Sequence, residues 1–254
     1  MNLIDTHAHT YLEQFEGDYI NVTQRAIDAG VTKILLPNVD LTSVKPMLDL
    51  YISYTNTYSV MTGLHPTSVK ENWKEELNNI ISAIHDYKPV AVGEIGIDLY
   101  WDKTYFDQQK EAFITQIEYA KEKQLPIVIH SRNSLDIIID LIKPYKGDIK
   151  GVFHCFPGSV QQAKKVVDMG FLLGIGGVVT FKNSKMASVA EYLPLETIVL
   201  ETDAPYLTPQ NERGKRNESA FLIHIATFIA EKRNVKIDEL AEVTTTNAKK
   251  LFNI

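Results

Sequence analysis

The strongest constraint on the fold is an alternation of short β-rich runs with longer amphipathic stretches, sustained from one end of the chain to the other. Eight such runs follow one another: NLIDTH (2 to 7), KILLPN (33 to 38), SVMTGLH (59 to 65), VAVGEIG (90 to 96), IVIHS (127 to 131), GVFHCF (151 to 156), FLLGIGG (171 to 177) and TIVLETD (197 to 203). Most are dense in Val, Ile and Leu with little strict alternation, as parallel strands are when helices cover one face and a packed interior the other. Between them, residues 104 to 123 place Phe106, Ala112, Phe113, Ile117 and Ala120 near helical spacing and fill the rest with charge. Similar patterns occupy 133 to 145, 159 to 169, 218 to 233 and 238 to 250. Pro89 and Pro126 stand at strand starts, where a missing N–H does little harm, and Gly30 and Gly170 follow helical stretches as C-terminal caps would. Strand then helix, eight times over, predicts an α/β fold of the (β/α)8 TIM-barrel type. An open doubly wound sheet is the alternative, but the first strand carries no glycine-rich phosphate loop. No linker, low-complexity tract or charge block interrupts the 254 residues, so 1 to 254 reads as one domain.

In a barrel the chemistry sits at the C-terminal ends of the strands, and the polar residues here are distributed accordingly. Of the 7 histidines, His7 and His9 follow the first run, His65 the third, His130 lies in the fifth and His154 in the sixth. Glu94 occupies the same level in the fourth run and Asp203 in the eighth. A single histidine in a strand is ordinarily a packed or loop residue; several imidazoles and two carboxylates buried at one end of a barrel need a compensating cation. Strand alternation lets His7 and His9, two residues apart, face one ion, sets Arg132 beside His130 and Glu201 beside Asp203, and turns Cys155 toward the helix layer as a small packing residue. With one cysteine in the chain, any metal is held by histidine and carboxylate. Such a set suits zinc, manganese, nickel or iron, and it offers more donors than one four-coordinate ion with an open site uses. Two ions bridged by a carboxylate such as Glu94 are expected, and metal-assisted hydrolysis is the reaction class. His85 and His224 fall in helical stretches and read as structural.

The combination LIDTHAH (3 to 9), GLHP (63 to 66), GEIGID (93 to 98), PIVIHSR (126 to 132), FHCF (153 to 156), PLETIVLETDAP (194 to 205), RGKRNE (213 to 218) and TTTNAKKLF (244 to 252) resembles the TatD family of metal-dependent deoxyribonucleases, within the amidohydrolase superfamily. The resemblance implies a TIM barrel with a binuclear centre: His7, His9 and Asp203 on the first ion, Glu94 as bridge, His130 and His154 on the second, the ions being Zn, Mn, Mg, Ni or Fe. It also implies a nuclease, often a 3′ to 5′ exonuclease on single-stranded DNA or RNA, with D-aminoacyl-tRNA deacylation or another ester or amide hydrolysis as the alternative. The chain departs from the family pattern at Thr10 and Tyr11, where an apolar residue and then Asp or Asn are usual, and at Ser134 and Ser219.

The formal charge is −6, so a polyanion must be held locally rather than by the whole surface. Candidates are Arg132, whose guanidinium can fork two phosphate oxygens, Arg213, Lys215 and Arg216 after the eighth run, and Lys182 and Lys185 after the seventh. Tyr100 and Trp101 can stack a base or cover the barrel mouth. His65 either orients substrate or packs beneath the metals. Asp203 is expected to serve as general base toward the metal-activated water. No run of 18 apolar residues occurs, and no basic stretch followed by an apolar one opens the chain, so a cytoplasmic protein without membrane or obligate protein partner is expected.

Overall fold

A computed structural model describes residues 1–254, and each of the eight β-rich runs overlaps a strand. These are β1 (Leu3–Asp5), β2 (Val31–Leu36), β3 (Tyr58–Val60), β4 (Val92–Asp98), β5 (Ile127–Arg132), β6 (Gly151–Phe153), β7 (Leu172–Ile175) and β8 (Ile198–Leu200). Several are shorter than the runs, because their last residues leave the hydrogen-bonded ladder to build the loops at the catalytic end. The helices are α1 (Tyr19–Asp28), α2 (Leu41–Ser53), α3 (Trp73–Ile84), α4 (Phe106–Lys123), α5 (Leu135–Ile142), α6 (Val160–Asp168), α7 (Lys185–Tyr192), α8 (Leu222–Arg233) and α9 (Ile237–Phe252). Asp40 and Ser159 cap α2 and α6 with reciprocal side-chain and backbone bonds.

All strand pairs are parallel, in the orders β1-β2-β3 and β4-β5-β6-β7-β8. Backbone bonds cross both remaining seams. Between β3 and β4, the Gly93 N–H donates to the Thr62 carbonyl at 2.8 Å and the Val90 N–H to that of Val60 at 3.0 Å. A Cβ on Gly63 would come within 2.9 Å of the Gly93 carbonyl carbon, so glycine is what lets these backbones approach. Between β8 and β1, Thr6 N–H reaches Leu200 O at 3.0 Å, Asp203 N–H reaches His7 O at 2.9 Å and His9 N–H reaches Ala204 O at 2.7 Å. The buried Asp5 carboxylate adds a side-chain staple there, accepting from Thr202 N–H (2.9 Å) and Thr202 Oγ1 (2.6 Å).

Strand alternation divides the apolar residues into two sets. Leu3, Ile34, Leu36, Ile127, Ile129 and Phe153 pack with the helices, whereas Ile4, Leu35, Val128, Val152 and Val199 form a smaller cluster with Ala248 and Phe252 of α9. That second cluster closes the interior at the end where the strands begin. The opposite end holds polar side chains instead, and a cavity of about 880 Å³ opens over it. No helix is long and apolar enough to cross a membrane.

Candidate metal centre

His7 and His9 extend β1 past its ladder, held by the bridge between Ala8 and Ala204, so both imidazoles face the cavity floor. Their Nε2 atoms lie 3.3 Å apart. His7 Nε2 is 3.1 Å from Glu94 Oε2 and 3.8 Å from Asp203 Oδ1; His9 Nε2 is 3.6 Å from each of the same two oxygens. Four donors around one cation at about 2.0–2.1 Å form a tetrahedron with edges of about 3.3–3.4 Å. The measured separations bracket that length, so these residues fit a small divalent ion.

The other Glu94 oxygen faces a different group. Oε1 is 2.7 Å from His130 Nδ1, 3.3 Å from His154 Nε2 and 3.5 Å from His65 Nε2. Glu94 therefore lends one oxygen to each of two donor clusters. His7 stacks on His154 with ring centroids 3.7 Å apart, which brings the two clusters together from the β1 and β6 sides.

His65 turns its protonated nitrogen toward the cluster. Its Nδ1 accepts the Thr67 backbone N–H at 3.2 Å, and an imidazole nitrogen that accepts leaves its proton on the other nitrogen. The Nε2–H thus faces the cluster, 3.3 Å from His130 Nδ1 and 3.5 Å from Glu94 Oε1, and His65 is built as a donor rather than as a ligand.

Two buried carboxylates that sequence reasoning did not assign to the site orient its histidines. Asp98 Oδ2 accepts from His130 Nε2 at 3.0 Å, and Asp98 Oδ1 accepts the backbone N–H groups of Tyr100 and Trp101 at 2.8 and 3.2 Å. Glu201 Oε1 accepts from His154 Nδ1 at 3.1 Å and from the Cys155 N–H. Carboxylate partners of this kind set the tautomer and raise the basicity of ligating imidazoles. A signal for Asp98 existed: Glu94, Gly96 and Asp98 share one face of a strand.

Burial governs the protonation of the cluster. It pushes His7, His9, His65 and His154 below the ordinary imidazole value, leaving neutral rings suited to a cation. Burial also pushes His130 down, but its bonds to Asp98 and Glu94 outweigh that and raise it to about 9. Glu94 is likewise opposed by burial, yet the hydrogen bond from the charged His130 ring holds it below the carboxylate range. Desolvation raises Asp203 to about 7 and Glu201 to about 7.

The expected substrate-binding residues are placed unevenly. Arg132 and Trp101 line the cavity, and the Arg132 guanidinium lies 4.0 Å over the exposed Tyr100 ring and 5.3 Å over Trp101. Lys185 also lines it, whereas Lys182 does not. The cations after β8 turn elsewhere: Arg216 binds Asp18 and the Gln14 carbonyl and stacks 4.2 Å over Phe15, Lys215 pairs with Glu212 at 2.6 Å, and Arg213 lies 5.8 Å over Phe181. The reason is local supply of acid, since Asp18, Glu212 and Glu218 surround that loop. Cys155 also departs from expectation. Lying past β6 with φ 41°, it escapes strand alternation and lines the cavity.

A parallel α/β barrel whose strand ends converge four or more imidazoles and two carboxylates is a barrel metallohydrolase. The family described as TatD related DNase matches residues 4–253. The chain is 38% identical over 254 residues to the Bacillus subtilis metal-dependent hydrolase YabD, covering 99% of both, and 32% identical over 259 residues to the 3′-5′ ssDNA/RNA exonuclease TatD of Salmonella typhimurium, again covering 99% of both. Among solved structures, the TatD homologue YjjV of Escherichia coli superposes with a TM-score of 0.92 at 33% identity, over 99% of this chain and 98% of that one. The chain belongs to the TatD family of metal-dependent hydrolases.

Proposed function

We propose that this chain is a 3′ to 5′ exonuclease on single-stranded DNA or RNA that uses two divalent ions (Zn, Mn, Mg, Ni or Fe) shared through Glu94. The observation that carries the reading is the junction, in one cavity, of the divided Glu94 carboxylate on the floor and the Arg132 guanidinium stacked on aromatic rings at the rim. The Salmonella relative named as an exonuclease supports the choice of substrate.

Divalent ions bound at the clusters supply charge neutralisation and a lowered pKa for water. His7, His9, Glu94 and Asp203 would hold one ion, and Glu94, His130 and His154 the other, with Asp98 and Glu201 keeping the last two imidazoles in register. Asp203 accepts the proton of the attacking water: its side chain is 14% exposed to the cavity, against 3% for Glu94. Arg132 forks the oxygens of the phosphate, Trp101 and Tyr100 stack the adjoining base, and the His65 Nε2–H donates to the departing or non-bridging oxygen. Lys185, at the start of α7, adds positive charge to the same cavity. Arg213, Lys215 and Arg216 lie outside the lining of this cavity.

The test is to incubate metal-replete protein with 3′-labelled single-stranded DNA and, in parallel, with D-aminoacyl-tRNA, with Glu94→Ala as the blank. Mononucleotide release that disappears in the blank supports the nuclease. Deacylation without nucleotide release overturns it in favour of an ester hydrolase using the same centre.

A further inference from the structure

Tyr11 is 1% exposed, two residues past His9, at one of the positions where the chain leaves its family pattern. Its hydroxyl has one proton and two hydrogen-bond partners. Oη lies 2.6 Å from the Pro37 carbonyl oxygen, which can only accept, and 3.0 Å from His9 Nδ1. With its proton committed to Pro37, Oη has only lone pairs to offer His9, so His9 Nδ1 must be the donor. A neutral imidazole that carries its proton on Nδ1 presents a bare Nε2. That atom is the one facing His7 Nε2, Glu94 Oε2 and Asp203 Oδ1.

The other histidines do not share this arrangement. His154 and His130 use the carboxylates of Glu201 and Asp98, and His7 Nδ1 is buried with no hydrogen-bond partner. Tyr11 is therefore the protein group bonded to the outer nitrogen of His9. Its position is itself fixed: Tyr19 Oη donates to the Tyr11 carbonyl at 3.3 Å, and Pro37 follows directly on β2.

We propose that Tyr11 is a positioning residue that locks His9 in the Nδ1–H tautomer, because its hydroxyl donates to the Pro37 carbonyl and can only accept from His9, and so keeps the His9 Nε2 lone pair available to a cation. The role in cation binding rests on the metal-centre reading; the tautomer does not.

The experiment follows both arms on histidine-labelled protein. Long-range proton–nitrogen correlation spectra of the metal-stripped wild type, with His9 assigned by His9→Asn, should show a protonated Nδ1 and a bare Nε2. In Tyr11→Phe, which keeps the ring and loses only the hydroxyl, the resonances should move toward the opposite tautomer. Zn²⁺ titration should then show one binding event reduced by about 10–100-fold relative to wild type, as for loss of other partners of ligating histidines. A wild-type His9 protonated on Nε2 overturns the proposal even if Tyr11→Phe does not fold. An unchanged tautomer in a folded Tyr11→Phe, or a changed tautomer with unchanged Zn²⁺ affinity, overturns it as well. Wild-type protein that binds no Zn²⁺ yet shows the Nδ1–H tautomer upholds the lock and overturns the metal reading instead.

Discussion

Gly174 is the residue whose enlargement should travel furthest into the centre. It lies in β7 against the fully buried Glu201, and a Cβ built on it would fall 2.7 Å from Glu201 Cδ and 3.1 Å from Oε1. Ordinary contact begins near 3.4 Å, and Oε2 would be nearer still, so the carboxylate must retreat by the better part of an ångström. It has nowhere to go, because Oε1 is pinned by His154 Nδ1 and the Cys155 N–H and Oε2 fills the space the missing side chain leaves. Overpacking of a dense interior costs about 1–3 kcal/mol, and a disrupted hydrogen bond to a charged group adds about 1.5–3 kcal/mol. Gly174→Ala should therefore lose about 3 kcal/mol or more, which lowers Tm by roughly 6–12 °C for a chain of this size. Loss of the His154 orientation should also weaken metal binding by about 10–100-fold. The assay is thermal unfolding of metal-free protein together with Zn²⁺ titration, on Gly174→Ala, Glu201→Ala and the pair. Once Glu201 is shortened the steric conflict disappears, so the double variant should lose much less than the two single losses added. A Gly174→Ala protein with wild-type Tm and metal affinity, or strict additivity in the cycle, refutes the reasoning.

Glu94→Gln keeps the shape of the shared residue but replaces a carboxylate oxygen by an amide group; metal content after dialysis should fall below that of wild type and turnover on single-stranded DNA by at least about 100-fold. For the rim, Trp101→Ala should weaken single-stranded DNA binding by about 1–3 kcal/mol, and Arg132→Ala should reduce the slope of log affinity against log salt by about 0.7; a fluorescence anisotropy titration over a salt series reads both. Arg216→Ala should lower Tm and leave that affinity unchanged, because its partners are Asp18, Gln14 and Phe15. Asp18→Asn should cost about 1 kcal/mol, or 2–4 °C. Hydrogen bonds from Arg25 and Arg216 hold Asp18 far below the usual carboxylate range, so its contribution is complete above about pH 4 and is lost only as pH falls through the depressed value. The Tm gap between wild type and Asp18→Asn should persist from pH 7 to pH 4 and close in stronger acid; a gap already closed at pH 5 contradicts this.

The sequence by itself determined the architecture and singled out most of the side chains that the structure gathers at the cavity floor. Strand and helix periods are local, so β4 or α4 is legible from a dozen residues, and the barrel follows from their repetition. Residue type at a strand end is local too: His7, His9, Glu94, His130, His154 and Asp203 stand out because imidazole and carboxylate are costly where neighbouring positions are Val, Ile and Leu. The tertiary structure decided which groups sit behind the imidazoles of His9, His130 and His154 and which cations meet the cavity. Glu201 reaches His154 across 47 positions, Arg216 reaches Asp18 across 198, and Asp5 reaches Thr202 across 197. No periodicity carries such pairs. A hydrogen bond depends on ångström-scale placement of two atoms, which is set by packing of the whole barrel and by where each strand leaves its ladder. That is why Arg216, legible only as part of a basic loop, became a tie to Asp18 and Gln14, and why Tyr11, legible only as a departure, became the partner that sets the proton on His9.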